Sequence, residues 1–167
     1  MFNLFGKKNE TSLPAIQAAD TDIVAMADGE MIDVTTVSDP VFAQKMMGES
    51  TAFTYPGDKV TLCAPANGTL TVLFPTGHAF GVTMKDGTEL LVHCGINTVE
   101  ANGNGFKVLK KKQGDAVKAG DPIIEADLKA LRGKYDMSTM LIVTNANGKE
   151  ISFAAPGHVS RGQKVNK

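Results

Sequence analysis

Apolar and polar positions alternate over short distances along most of this chain, and glycine, asparagine or aspartate interrupts the alternation repeatedly. Short period-two runs bounded by turn residues read as half-buried strands. The pattern predicts strands over residues 23–27, 30–37, 50–54, 59–64, 69–74, 78–84, 89–94, 106–110, 122–126, 140–144 and 150–154. Many short strands at close spacing predict an all-β sandwich or barrel. Two segments break the pattern. Ser38-Asp39-Pro40-Val41-Phe42-Ala43-Gln44-Lys45-Met46-Met47-Gly48 has a capping residue, an early proline and a final glycine, which together predict a short helix. Its Val41, Phe42, Met46 and Met47 form an apolar surface suited to core support or to docking. Asp127 to Lys134 predicts a second helix of one or two turns.

An internal echo runs beneath the strands. Ala25-Met26-Ala27-Asp28-Gly29-Glu30-Met31 matches Ala64-Pro65-Ala66-Asn67-Gly68-Thr69-Leu70, each entering a strand after a tight turn. Two related hairpin units would pack face to face, since neither buries its apolar side alone. The segment from Lys112 to Glu125 has a similar turn-strand-turn-strand cadence. Residues 1–20 read as a flexible leader and 21–167 as one domain.

Composition narrows the function. A chain of 167 residues with 43% hydrophobic content suits one well-packed domain, and a formal charge of −1 carries no nucleic-acid signature. Cys63 and Cys94 sit singly inside apolar runs, with neither metal-type spacing nor a disulfide framework, which suits a reducing cytoplasm. The opening residues are too short and broken for a secretory signal, and no stretch approaches the ~20 apolar residues that span a bilayer. Phe2, Leu4 and Phe5 beside Lys7 and Lys8 suit either weak membrane contact or a frayed terminus. A start at Met1 and a polar tail to Lys167 favour a free-standing protein.

The candidate chemistry lies in His78 and His93. Lys85-Asp86-Gly87-Thr88 separates two strand-like runs, and Asp-Gly is a strong hairpin signal. With Asp86 and Gly87 as a two-residue turn, Lys85 pairs with Thr88, Phe80 lies opposite His93 and His78 opposite Gly95. Both imidazoles then emerge on one face as diagonal neighbours, with Cβ atoms roughly 7–8 Å apart. A change of one residue in the loop would put them on opposite faces. Cys94 follows His93 and points the other way, so it cannot act as a nucleophile beside it. A histidine can itself be the nucleophile. One ring nitrogen of a neutral imidazole accepts a phosphoryl group while the other keeps its proton on a backbone carbonyl. The second imidazole donates a hydrogen bond to the phosphoryl oxygens. Thr76 shares the face of His78 and is placed to orient that ring. Gly77, Gly81 and Gly95 leave room for a partner. The competing reading is two buried, purely structural histidines. His158, in a terminal turn, reads as a solvent-exposed loop residue.

At these residues the sequence resembles enzyme IIA of the glucose family in the bacterial sugar phosphotransferase system. Gly87-Thr88-Glu89-Leu90-Leu91-Val92-His93-Cys94-Gly95-Ile96-Asn97-Thr98-Val99 is similar to the family's phosphorylation-site signature, and Thr76-Gly77-His78-Ala79-Phe80 to the segment carrying its second histidine. Agreement runs from about residue 22 to 145, including Asp39-Pro40-Val41-Phe42-Ala43-Gln44-Lys45, Cys63-Ala64-Pro65-Ala66-Asn67-Gly68, Gly103-Asn104-Gly105-Phe106 and Val117-Lys118-Ala119-Gly120-Asp121. The resemblance implies a flattened antiparallel β-sandwich with internal duplication. It implies that His93 takes phosphate on Nε2 from the phosphocarrier protein HPr and passes it to a cysteine of a sugar-specific EIIB domain. His78 would stabilise the phosphohistidine and Thr76 position it. It further implies an apolar collar for both partners at Val41, Phe42, Met46, Met47, Phe80, Leu91 and Val99, with Asn97 at its edge. Regulatory partners responding to phosphorylation state, and a cytoplasmic protein meeting the membrane permease transiently, also follow.

Three departures stand out, the first being a leader unlike the longer amphipathic arm of some relatives, so that membrane association carries over poorly. Asn97 occupies a position where many relatives carry aspartate, and Cys94 replaces a bulkier apolar residue. Rival readings have little to stand on. A biotinyl or lipoyl attachment module needs a lysine at a hairpin tip, and the nearest candidate, Lys129, falls in predicted helix. A zinc hydrolase of the lysostaphin type needs a closely spaced His-x-His pair and further ligands. No cofactor is required. Paired imidazoles bind zinc readily, so an adventitious zinc at His78 and His93, helped by a partner's carboxylate, is a side expectation.

Overall fold

The structure, a computed structural model, describes residues 13–167. Its strands are β1 (Gly29–Ile32), β2 (Glu49–Thr54), β3 (Lys59–Cys63), β4 (Gly68–Leu73), β5 (Ala79–Met84), β6 (Glu89–Cys94), β7 (Phe106–Val108), β8 (Ala116–Val117), β9 (Pro122–Asp127), β10 (Thr139–Asn145) and β11 (Gly157–Val159). One sheet has the order β11-β1-β2-β10-β6-β5-β4-β8 and the other β3-β9-β7, with every pairing antiparallel. Alternation explains the core. Leu90, Val92 and Cys94 of β6 turn inward with Phe53, Phe80 and Leu141 to meet Leu62, Ile124 and Ala126 of the smaller sheet. This is the antiparallel β-sandwich that the resemblance implies, and one of the two all-β architectures that the pattern predicts.

The other face of the large sheet carries a second apolar cluster of Val34, Val37, Phe42, Ala52, Ile96, Met140 and Ile142. A 3-10 turn (Val34–Thr36) and a short helix α1 (Pro40–Ala43) cover it. Asp39 caps α1 by accepting from the Val41 N–H at 2.8 Å, and Pro40 fills the first helical position. The helix is shorter than the 38–48 predicted, because Lys45 takes a φ of +56° that a right-handed helix cannot continue through. The second helix, α2 (Leu128–Leu131), is capped by Asp127.

The internal echo is a structural duplication. Val24 N–H donates to Pro65 at 2.8 Å while Cys63 N–H donates to Met26 at 3.1 Å. Ala25 pairs with Gly162 and Gln163 as Ala64 pairs with Gly120 and Asp121, all at 2.9 Å. The side chain of Asp28 accepts from Arg161 N–H as that of Asn67 accepts from Ala119 N–H. These matched bonds relate the two units by an approximate two-fold axis, with β1–β2 the counterpart of β4–β5.

Several expectations need correction. Residues 23–27 and 150–154 are not strands; each holds a single bridge, Val24 to Lys164 and Phe153 to Asn166. The 30–37 strand stops at Ile32. His158 is exposed but lies in β11, opposite Glu30, with its Nδ1 3.1 Å from the Glu30 carboxylate. Of the expected flexible leader, 13–20 are tied down: Ile16 packs against Gly120 and Gly162, and the Arg161 guanidinium donates to Pro14 O at 2.9 Å. The Phe2, Leu4, Phe5 cluster lies outside the described residues.

The hairpin differs from prediction by one residue. Ala79 pairs with His93 and Phe80 with Val92, so Met84 closes against Thr88 around a three-residue loop, Lys85-Asp86-Gly87. Gly87 takes a φ of +94°, the left-handed position of a type I turn with a bulge. The slip flips Phe80 to the interior, where it is fully buried, so its expected place in a partner collar is wrong. Truncating it tests this: Phe80→Ala should lower stability by about 3–5 kcal/mol in urea unfolding, as expected of a core aromatic and not of a surface one.

Candidate functional site

Outward-facing residues of four neighbouring strands line up as Ala52, Met140, His93 and Ala79. His93 therefore stands on the outer face, beside the second apolar cluster and partly open to solvent. Phe42 of α1 packs on its ring at 5.1 Å between centroids. His78 lies just before β5, after the Thr76-Gly77 turn, and its carbonyl accepts from Cys94 N–H at 2.7 Å. Being outside the strand, its side chain escapes the alternation that the register would impose. The two rings meet edge to face, 5.2 Å apart at 81°. The structure thus brings His78 and His93 together despite the shifted register.

Hydrogen bonds define what each ring can do. His93 Nδ1 lies 2.8 Å from Gly95 O, so Nδ1 carries the proton and Nε2 keeps its lone pair. Gly95 holds that carbonyl with a φ of +85°, and a Cβ there would collide with Thr98 and Met137. His78 Nδ1 lies 2.7 Å from the Thr76 hydroxyl. With that hydroxyl donating, His78 carries its hydrogen on Nε2. Burial pushes the pKa of both imidazoles down. For His93 the Gly95 contact and Asp39 oppose that shift while His78 reinforces it. Both rings are therefore neutral at pH 7. Cys94 points into the core, its thiol pushed up to about 12 by burial, which removes it as a nucleophile.

His78 is only 2% exposed, screened by Phe74 and Phe106 with ring separations of 5.0 and 6.4 Å. These two aromatics were missed in the sequence; Phe74, an apolar residue just before the Pro75-Thr76 turn, was the available signal. Around the rings, Val41 is 41%, Met46 68% and Val99 53% exposed, and Met47 and Phe74 also reach solvent. Leu91 is half-buried against the outer cluster, and Phe42 is largely covered. Asn97 is exposed at a φ of +63°, a conformation asparagine tolerates well. Lys129 lies in α2 and not at a hairpin tip, which removes the attachment reading. Among the described residues no three His, Cys, Asp or Glu side chains gather to hold a metal ion. No described helix is long and apolar enough to cross a membrane.

Sandwich and site together define a class: a β-protein presenting one partly exposed imidazole, in edge contact with a second, beside an apolar surface. The chain belongs to the EIIA 1 family of the phosphoenolpyruvate-dependent sugar phosphotransferase system, whose family model matches residues 21–149. It is 39% identical over 152 residues to a glucose-specific EIICBA component of that system from Staphylococcus carnosus, covering 90% of this chain and 22% of the relative. It thus spans about a fifth of the length of that relative and of a glucoside-specific EIICBA component from the same organism (22% and 20%). A glucose-specific EIIA component from Haemophilus influenzae is 35% identical, covering 97% of this chain and 93% of that protein. Among solved structures, glucose permease IIA from Mycoplasma capricolum aligns with a TM-score of 0.80 at 35% identity, over 87% of this chain and 93% of that one.

Proposed function

We propose that this chain is a phosphoryl carrier of a sugar phosphotransferase system, with His93 as the residue that holds the phosphoryl group. The lone pair on His93 Nε2 attacks the phosphorus of phospho-HPr, and the bond from phosphorus to HPr breaks as the new N–P bond forms. In the second step the thiolate of an EIIB cysteine attacks the same phosphorus, and His93 leaves with its Nε2 lone pair restored. His78 donates from Nε2 to the phosphoryl oxygens throughout, held by the Thr76 hydroxyl. Val41, Met46, Met47 and Val99, with Phe74 added, form the surface on which both partners sit, and Phe42 and Leu91 support it from below. Asn97 borders that surface without adding charge. The membrane permease sets the sugar, and the carrier works in the cytoplasm, meeting that permease transiently. The two imidazoles leave a zinc ion short of ligands, so zinc at this site would need a partner's carboxylate.

The observation that carries the reading is the 2.8 Å contact between His93 Nδ1 and Gly95 O, which leaves Nε2 as the nucleophile. The test is incubation with labelled phosphoenolpyruvate, enzyme I and HPr. Acid-labile label on this chain supports it; its absence with active donors overturns it.

Acidity supplies a second check. Protonated His93 cannot attack, and its pKa lies below the free value of about 6.5. Acceptance should therefore stay flat as pH falls through about 6.5 and decline only at lower pH, in stopped-flow measurements against phospho-HPr. The same shifts bear on folding. Both histidines bind protons more readily unfolded than folded, so stability should fall as pH drops below about 6.5.

A further inference from the structure

Asp136 lies outside both histidine segments, yet its hydrogen bonds end at the site. Its Oδ1 accepts from Ser138 N–H at 3.0 Å and from the Ser138 hydroxyl at 2.8 Å. Its Oδ2 accepts from the Ser38 hydroxyl at 3.0 Å. Its main-chain carbonyl accepts from Ile96 N–H at 2.8 Å, and Ser138 O accepts from Gly95 N–H at 3.0 Å. Ile96 N–H and Gly95 C=O belong to one planar peptide unit. One end of that unit is thus held by Asp136, and the other takes the proton of His93 Nδ1 at 2.8 Å. A chain of aligned dipoles runs from Asp136 C=O through the peptide to the imidazole, each bond polarising the next.

The carboxylate also joins two supports of the ring. Ser38 immediately precedes the Asp39 cap of α1, the helix whose Phe42 packs on His93. Ser138 adjoins β10, whose Met140 stands beside His93 in the outward row. The Gly95 carbonyl and the Phe42 ring approach His93 from different segments, and both segments are tied to one aspartate.

We propose that Asp136 is a positioning residue for phosphoryl transfer: its carboxylate, bonded to Ser38 and Ser138, holds the 136–138 turn so that the Asp136 main-chain carbonyl meets the Gly95–Ile96 peptide, and this fixes the tautomer and orientation of His93. The inference rests on the carrier reading above, but its primary readout does not need transfer. Long-range proton–nitrogen NMR reports which His93 nitrogen bears hydrogen, with His78 as an internal reference. In the wild type His93 should be protonated on Nδ1. In Asp136→Ala it should become a mixture of tautomers, and acceptance from phospho-HPr should fall about tenfold, the lower end of what a hydrogen-bond partner of a metal-bound histidine is worth. Asp136→Asn keeps an acceptor for Ser138 and an amide for Ser38, and should restore both readouts to within about twofold.

A merely structural Asp136 would lower the melting temperature of Asp136→Ala and leave the His93 tautomer unmoved; that result overturns the inference. An Asn variant as impaired as Ala also overturns it, since charge would then be what matters. Should Asp136→Ala fail to fold, Ser138→Ala gives the decision, expected to mix the tautomers and overturning the inference if it does not. A wild type that takes no label while its His93 is fixed on Nδ1 overturns the carrier reading and leaves the positioning supported.

Discussion

Replacing His93 by alanine is expected to remove all acid-labile label from the chain while the protein remains folded. The reasoning is structural and chemical together. His93 Nε2 is the imidazole nitrogen left free by the Gly95 contact on a ring partly open to solvent, so no neighbour can inherit its role. His78 is covered, and Cys94 faces the core with a thiol held protonated. The ring's own contribution to the fold is a packing contact with Phe42 and one hydrogen bond, so the stability loss should stay near 1–2 kcal/mol. Circular dichroism and a urea titration would establish folding beside the labelling assay. Persisting label would point to His158, the exposed imidazole on β11, and would end the assignment of His93.

His78→Ala should be nearly as damaging to transfer, by a different route. The attacking lone pair survives, so label still reaches His93. On the proposed carrier role, what is lost is the donor facing the charge that the phosphoryl group carries through each step. Removing one such preorganised donor costs about 10²–10³ in rate in a well-studied protease, and a loss of that order is expected in transfer to EIIB. The buried imidazole also fills space against Phe74 and Phe106 and pairs with Thr76. Truncation should therefore cost a further 1–3 kcal/mol or so in stability from the stranded hydroxyl and the void. Single-turnover kinetics separate the two effects, because the folded fraction scales amplitude and the missing donor scales rate. An unchanged rate would remove His78 from the chemistry.

Much of this site was legible before any coordinates. Most of the strand pattern, the proximity of the paired histidines, the Thr76–His78 contact, the apolar helix segment and the duplication follow from local signals that the fold preserves. The register error has a local cause. Asp86-Gly87 suits a two-residue turn and a three-residue loop equally, because a glycine at positive φ serves both. Choosing the shorter loop displaced the pairing by one residue and turned Phe80 outward. The same displacement left the juxtaposed rings correct only because His78 sits beyond the end of β5, where side-chain direction is no longer set by pairing. The two-residue β8 and three-residue β11 are too brief to leave a periodic trace, and their existence depends on partners far along the chain. The ties from Asp136 to residues 38 and 96 were invisible for a similar reason, since they are tertiary contacts.

The two-fold relation between the units has an implication for how such a centre could be altered. The connection between β1 and β2 carries Phe42, and its counterpart between β4 and β5 carries His78; each ring stands about 5 Å from His93 (5.1 and 5.2 Å). Equivalent loops of the two units thus supply different chemistry, one greasy and one protic, on either side of a single imidazole. Grafting or lengthening the first loop beyond Ala43 should therefore retune partner choice without disturbing how phosphate is held, a modularity that redesign of the docking face could exploit.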